Sequence, residues 1–248
     1  MNEQDYAKFY DRVGKLIGWD FSNVKVECEG EMPDFYTEVS QKCTPSTILL
    51  DIGTGGGTRI AQIAKTARLL VGIDSSTSMV QTAKEKHPLS QYGNLRFFLM
   101  DATHLEFPEG FFDVVSCRQA PFNAQQAYQV LANGGWFLTQ QVSEADKLNI
   151  KEVFGKGQYN EIDGTRMERD LQDLRAAGFT NIVASEYDLI EYYQTPDDLI
   201  FLLQHTPIIP NFGDNKQDFK ILADFIDAHT TSKGIKTNSK RYIIIAKK

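Results

Sequence analysis

Three carboxylates and three glycines carry most of the chemistry legible in this 248-residue chain. Asp51 stands directly ahead of Gly53, Gly55 and Gly57, glycines at alternating positions. Lacking a Cβ, such residues take tight turns and let the backbone approach a ligand closely. Asp74 and Asp101 follow, each closing an apolar run. A carboxylate so placed can accept hydrogen bonds from a ligand's donors. Together these residues read as a cradle for an organic cofactor. The cysteines, Cys28, Cys43 and Cys117, are odd in number and show no ligand-like spacing, so neither a metal site nor a disulfide framework is expected.

Strands must stand behind those residues. Residues 48–52 form an apolar run before the glycines, and Ile60, Ile63 and Ala64 mark the buried face of a following helix. Residues 68–74 form a second strand, after which Ser75, Ser76, Thr77 and Ser78 offer N-caps to a helix stopped by Pro88. Further strands are expected at 96–100, 111–117, 136–142, 181–193 and 241–246, and helices at 123–131, 168–177, 196–205 and 217–229. This alternation predicts a parallel sheet covered on both faces, with its ligand beyond the carboxyl ends of the strands. Residues 1–45 read as an N-terminal helical cap, with Tyr6, Phe9, Tyr10, Val13 and Ile17 on one face and a second helix at 34–42. Residues 46–248 then form one domain carrying a helical insertion at about 194–238.

Composition narrows the class. The chain is 42% hydrophobic and 24% charged, with a mean hydropathy of -0.34. No apolar run approaches the roughly 18 residues a membrane span requires. The polar, mixed-charge N-terminus does not read as a signal peptide, and the cysteine usage fits a cytoplasmic protein. A net charge of -7 argues against broad affinity for nucleic acid.

With these motifs in order, the chain resembles the class I S-adenosylmethionine-dependent methyltransferases over roughly 46–192 and the terminal strand. The resemblance is carried by Asp51 with its three glycines, by Asp74, and by the Asp101-Ala102 pair. Phe112-Asp113-Val114-Val115 and Leu131 with Gly134-Gly135 complete it. It implies an α/β fold, a Rossmann-like doubly wound seven-stranded sheet, mostly parallel with the last strand antiparallel, and helices on both faces. It also implies S-adenosylmethionine as cofactor. Asp51, Gly53, Thr54, Gly55 and Gly57 would then approach its methionine part. Asp74, beside Ser75, would take the ribose, and Asp101 with Ala102 the adenine. Met79 and Ile73 would supply apolar contact, and Arg118, counted among the cofactor-binding residues, would with Gln119 face the transferable methyl and the acceptor.

The acceptor is expected to be a small organic molecule, because the architecture resembles the quinone-biosynthesis and related small-molecule branch. The apolar insertion supplies a wall for it. Lys233, Lys236, Lys240, Arg241, Lys247 and Lys248 keep an RNA or tRNA acceptor as the alternative. A non-catalytic binding protein of this fold is a second alternative. An NAD-dependent oxidoreductase is the third, since Gly53, Gly55 and Thr58 approach the dinucleotide fingerprint, whose last position requires Gly or Ala. No catalytic residue stands out; His104, Glu191 and Tyr10 are the candidate bases. Arg118-Gln119-Ala120-Pro121-Phe122 occupies the place where amino-group methylases of bases carry an Asn/Asp-Pro-Pro-aromatic motif.

Overall fold

The computed structural model describes residues 21, 23–157 and 161–248, so the helical face expected at 6–17 lies outside the described residues. Strand β1 (Val26–Glu29) and helix α1 (Phe35–Gln41) come first. Then follow β2 (Ile48–Ile52), α2 (Thr58–Gln62), β3 (Leu69–Asp74), α3 (Thr77–Lys86) and β4 (Leu95–Leu99). Next are β5 (Phe112–Arg118), α4 (Ala124–Val130) and β6 (Leu131–Val142). The C-terminal half holds α5 (Leu148–Phe154), α6 (Thr165–Ala177), β7 (Thr180–Tyr193), α7 (Pro196–His205), α8 (Lys216–His229), β8 (Thr230–Thr231) and β9 (Gly234–Lys247).

The strands form one sheet in the order β1-β7-β9-β6-β5-β2-β3-β4, with β8 attached to β9. Strands β2 to β6 pair in parallel, and β9 lies antiparallel between β6 and β7. This is the expected doubly wound sheet with a terminal antiparallel strand, but it has nine strands rather than seven. The additions are β1 and β8, both too short to show periodicity in the sequence. Val26-Glu27-Cys28-Glu29 becomes a strand only by pairing with the end of β7, Val26 opposite Tyr193 and Glu29 opposite Ile190. Tertiary pairing here overrides local pattern.

The apolar strands are buried because helices cover both faces. On one face Leu50, Ile52, Val71 and Val115 pack with Ala127 of α4 and Leu174 of α6. On the other, Leu49, Leu70, Val114 and Leu138 pack with Phe35 and Val39 of α1 and with Val80 of α3. A third core forms beyond the carboxyl end of β6, where Val142 pairs with Arg241. Past that point β7 and β9 continue as a ribbon to Tyr193 opposite Ile235. Helices α5, α7 and α8 cover this overhang through Ile150, Leu199, Leu222 and Phe225, packed with Tyr193 and Ile235. Strand β9 therefore begins at Gly234, ahead of the expected 241, and residues 234–238 are strand rather than helical insertion. Helix α5, only 7 residues long, had no periodic signature in the sequence.

Candidate functional site

The strand order reverses between β2 and β5, and the glycine loop leaves β2 at that point. Gly53, Gly55 and Gly57 all take left-handed φ angles, 70°, 56° and 75°. The loop is stitched to the end of β3. Thr54 N–H donates to the Ile73 carbonyl at 2.9 Å, and Gly55 N–H donates to Asp74 Oδ2 at 2.9 Å. Asp74 Oδ1 accepts from Ser76 N–H, also at 2.9 Å. Burial raises the Asp74 pKa, and these two N–H groups oppose the rise. Each oxygen keeps lone-pair capacity for a ligand hydroxyl, and the residue is partly exposed. Ser76 is the N-cap of α3, while Ser75 beside it is exposed. Met79 is buried beneath the loop, its Sδ 4.0 Å from where a Cβ on Gly55 would stand.

Beyond β4, Asp101 is exposed and its Oδ1 accepts from the Thr103 amide and hydroxyl at 2.8 and 2.9 Å. Ala102 is partly exposed beside it. Phe98 and Leu99, at 45% and 55% exposure, form an uncovered apolar edge at the same strand end.

Asp51 plays a different part from the other two acids. Alternation along β2 puts it on the same face as Leu49, toward α1. There it is fully buried. Tyr36 Oη donates to both carboxylate oxygens, at 3.2 and 3.1 Å, and Ser116 Oγ donates to Oδ1 at 2.6 Å. Burial pushes its pKa up to about 6, and the Ser116 hydroxyl bond restrains the rise. Asp51 is thus tied to α1 through Tyr36 and to β5 through Ser116, beneath the strand end from which the glycine loop leaves. Tyr36 and Ser116 were absent from the sequence reading. Ser116 shows in the sequence as a hydroxyl two residues after Val114 in an apolar run, while its place opposite Asp51 appears in the strand register.

The same alternation carries Ser116 and Arg118 to the α1 face, with Arg118 opposite Gln140 on β6. Arg118 Nε donates to Gln140 Oε1 at 2.9 Å, and Gln140 Nε2 donates to the Met32 sulfur at 3.3 Å. Gln119 follows at φ 53°, a left-handed conformation uncommon for a non-glycine residue, and its side chain is exposed. Ala120 then turns back against Gly53, so that a Cβ on Gly53 would stand 2.2 Å from the Ala120 Cβ.

The candidate bases are not gathered here. His104 is exposed on the Asp101 turn. Glu191 accepts from Tyr193 Oη at 2.9 Å and pairs with Lys147 Nζ at 2.7 Å. Tyr10 lies outside the described residues. Glu191 belongs to a buried polar cluster after β6, in which Lys147 also donates to the Asn238 carbonyl and Asp146 pairs with Arg241. Among the described residues no group of His, Cys, Asp and Glu could hold a metal ion, and no helix is long and apolar enough to cross a membrane.

Residues 49–135 match the family model described as a methyltransferase domain. Over 125 residues the chain is 27% identical to an uncharacterized methyltransferase of Bacillus subtilis, YcgJ, covering 48% of this chain and about half the length of that protein, 49%. The crystal structure of YcgJ matches with a TM-score of 0.59 at 18% identity, over 86% of this chain and 97% of that one. Phosphoethanolamine N-methyltransferase 2 of Haemonchus contortus, in complex with S-adenosyl-L-methionine, matches with a TM-score of 0.56 at 18% identity, over 97% and 56%. The cyclase SpnF matches with a TM-score of 0.60 at 18% identity, over 100% and 97%. The resemblance to class I S-adenosylmethionine-dependent methyltransferases read from the motifs is therefore met by the matched domain and by the fold.

Proposed function

We propose that this protein is a methyltransferase that uses S-adenosylmethionine to methylate a small organic acceptor. One observation carries the reading: a glycine loop at the strand-order reversal is hydrogen-bonded to Asp74, whose oxygens keep capacity for a hydroxyl pair. The residues fit the cofactor. Gly55 has nothing nearer than 4.0 Å where its Cβ would be, so the backbone is open to a ligand. Asp74 would hold the ribose. The exposed Phe98–Leu99 edge and Ala102 would receive the adenine, with Asp101 accepting from its amino group. When bound, the cofactor supplies a methyl already activated on a sulfonium. The chain's work is then to hold the acceptor atom in line and exclude water, a positioning effect worth about 7–11 kcal/mol.

The basic residues expected to favour RNA are largely committed elsewhere. Lys233 pairs with Glu29, Lys240 with Asp163 and Glu186, and Arg241 with Asp146. Lys247 lies over Trp136 and Lys248 over Tyr128. Engaged cations make a poor phosphate footprint, which supports the small acceptor. SpnF, a cyclase, shares the fold, so methyl transfer needs its own assay. Methyl-labelled S-adenosylmethionine incubated with the protein, a small-metabolite extract and total tRNA should label the metabolite fraction. Label confined to tRNA, or NADH binding without S-adenosylmethionine binding, would overturn the reading.

A further inference from the structure

We propose that Arg118 anchors an oxyanion of the acceptor, so that the substrate is a small molecule bearing a carboxylate or phosphate group. The proposal rests on the methyltransferase reading and deepens it.

Arg118 ends β5, the first strand past the reversal, and is partly buried on the α1 face. Its Nε is fixed on Gln140, a residue 2% exposed whose own amide is engaged with Met32. Among the described residues the two Nη groups have no hydrogen-bond partner and no carboxylate within ion-pairing distance. The nearby acids are already occupied. Asp51 is held by Tyr36 and Ser116, while Asp34 caps α1 and pairs loosely with Arg59 at 3.8 Å. Tyr36 and Asp34 favour the charged guanidinium, while Arg59, and Arg241 already paired with Asp146, oppose it. A partly buried cation with a free fork is costly until an anion meets it, and a planar fork suits a carboxylate or phosphate bidentately. Gln119, next in the chain, takes a left-handed conformation with its side chain exposed and its N–H on the Gln140 carbonyl.

Position assigns the anion to the acceptor rather than the cofactor. The glycine loop, Asp74 and Asp101 follow β2, β3 and β4, whereas Arg118, expected among the cofactor residues, ends β5 and is drawn by Gln140 toward β6, on the opposite side of the reversal.

The test uses the full chain and begins by titrating it with S-adenosylhomocysteine. Failure of a folded protein to bind it would sink the methyltransferase reading itself. The loaded protein is then titrated with benzoate, inorganic phosphate and benzamide, following the arginine Nε–Hε signals by 15N NMR. Saturable binding of benzoate or phosphate, with benzamide silent, is expected. Arg118→Gln should weaken that anion binding at least tenfold while changing S-adenosylhomocysteine affinity less than threefold. Arg118→Lys, which keeps the charge without the fork, should fall between the two and guards against misfolding of the Gln variant. Anion binding unchanged in both variants, equal binding of benzamide, or no anion binding by the loaded wild type overturns the proposal. So does a tenfold loss of S-adenosylhomocysteine affinity in Arg118→Gln, which would put the guanidinium on the cofactor's carboxylate.

Discussion

Gly53→Ala tests how tightly the loop after β5 is seated on the glycine loop. Two penalties are readable from the structure. Gly53 sits at φ 70°, where an alanine costs about 1–2 kcal/mol. Its new Cβ would also stand 2.2 Å from the Ala120 Cβ, a contact that cannot persist without the loop moving. Overpacking of this kind costs about 1–3 kcal/mol. Gly53→Ala should therefore lose about 2–5 kcal/mol in urea denaturation. The two contributions separate in a cycle with Ala120→Gly, which removes the clashing atom but leaves the backbone strain. Alone, Ala120→Gly should cost about 0.5–1 kcal/mol. The double variant should be more stable than the sum of the singles requires by about 1–3 kcal/mol. Additive effects within about 0.5 kcal/mol would refute the contact between the two loops. A nearly neutral Gly53→Ala would refute the left-handed turn as well.

Two further perturbations address the buried charges. Asp51 keeps its proton to about pH 6 in the folded chain, against 3.8 when free, so between those values the native state binds more protons than the unfolded one. Its stabilising contribution is whole below pH 3.8 and is lost as pH rises to about 6, by at most about 3 kcal/mol. Asp51→Asn should flatten the stability profile across that window in thermal melts. An unchanged slope would remove Asp51 as its source. Lys147 is 2% exposed and holds Glu191 at 2.7 Å and the Asn238 carbonyl, so Lys147→Ala should cost about 3–5 kcal/mol by stranding Glu191. Adding Glu191→Gln should restore part of that loss in denaturant titrations, and no restoration would mean the pair is uncoupled.

The fold was legible where the chain is locally consistent. Residues 48–52 and 68–74 are apolar because helices cover both faces of the central strands, and the glycines follow because a left-handed turn is needed there. Strand β1 was hidden because Val26–Glu29 has no pattern of its own and forms only against β7. The start of β9 was hidden for a related reason: Lys236 and Asn238 are polar because the overhanging ribbon exposes them or buries them in hydrogen bonds. In the site, the acids were visible as residue types, but their division of labour was not. That Asp51 is fully buried between Tyr36 of α1 and Ser116 of β5 follows from strand register and tertiary packing, and neither shows in linear spacing. The commitment of Arg118 to Gln140 likewise depends on the pairing of β5 with β6.

The central claim is that the Asp51–Gly57 loop and Asp74 form the cofactor cradle. Calorimetric titration of the wild type and Asp74→Ala with S-adenosylmethionine tests it most directly. The wild type should bind at a single site. The variant, folded by circular dichroism, should bind more weakly by about 1.5–3 kcal/mol, the value of hydrogen bonds to a charged acceptor. Equal affinity in the two proteins would contradict the account.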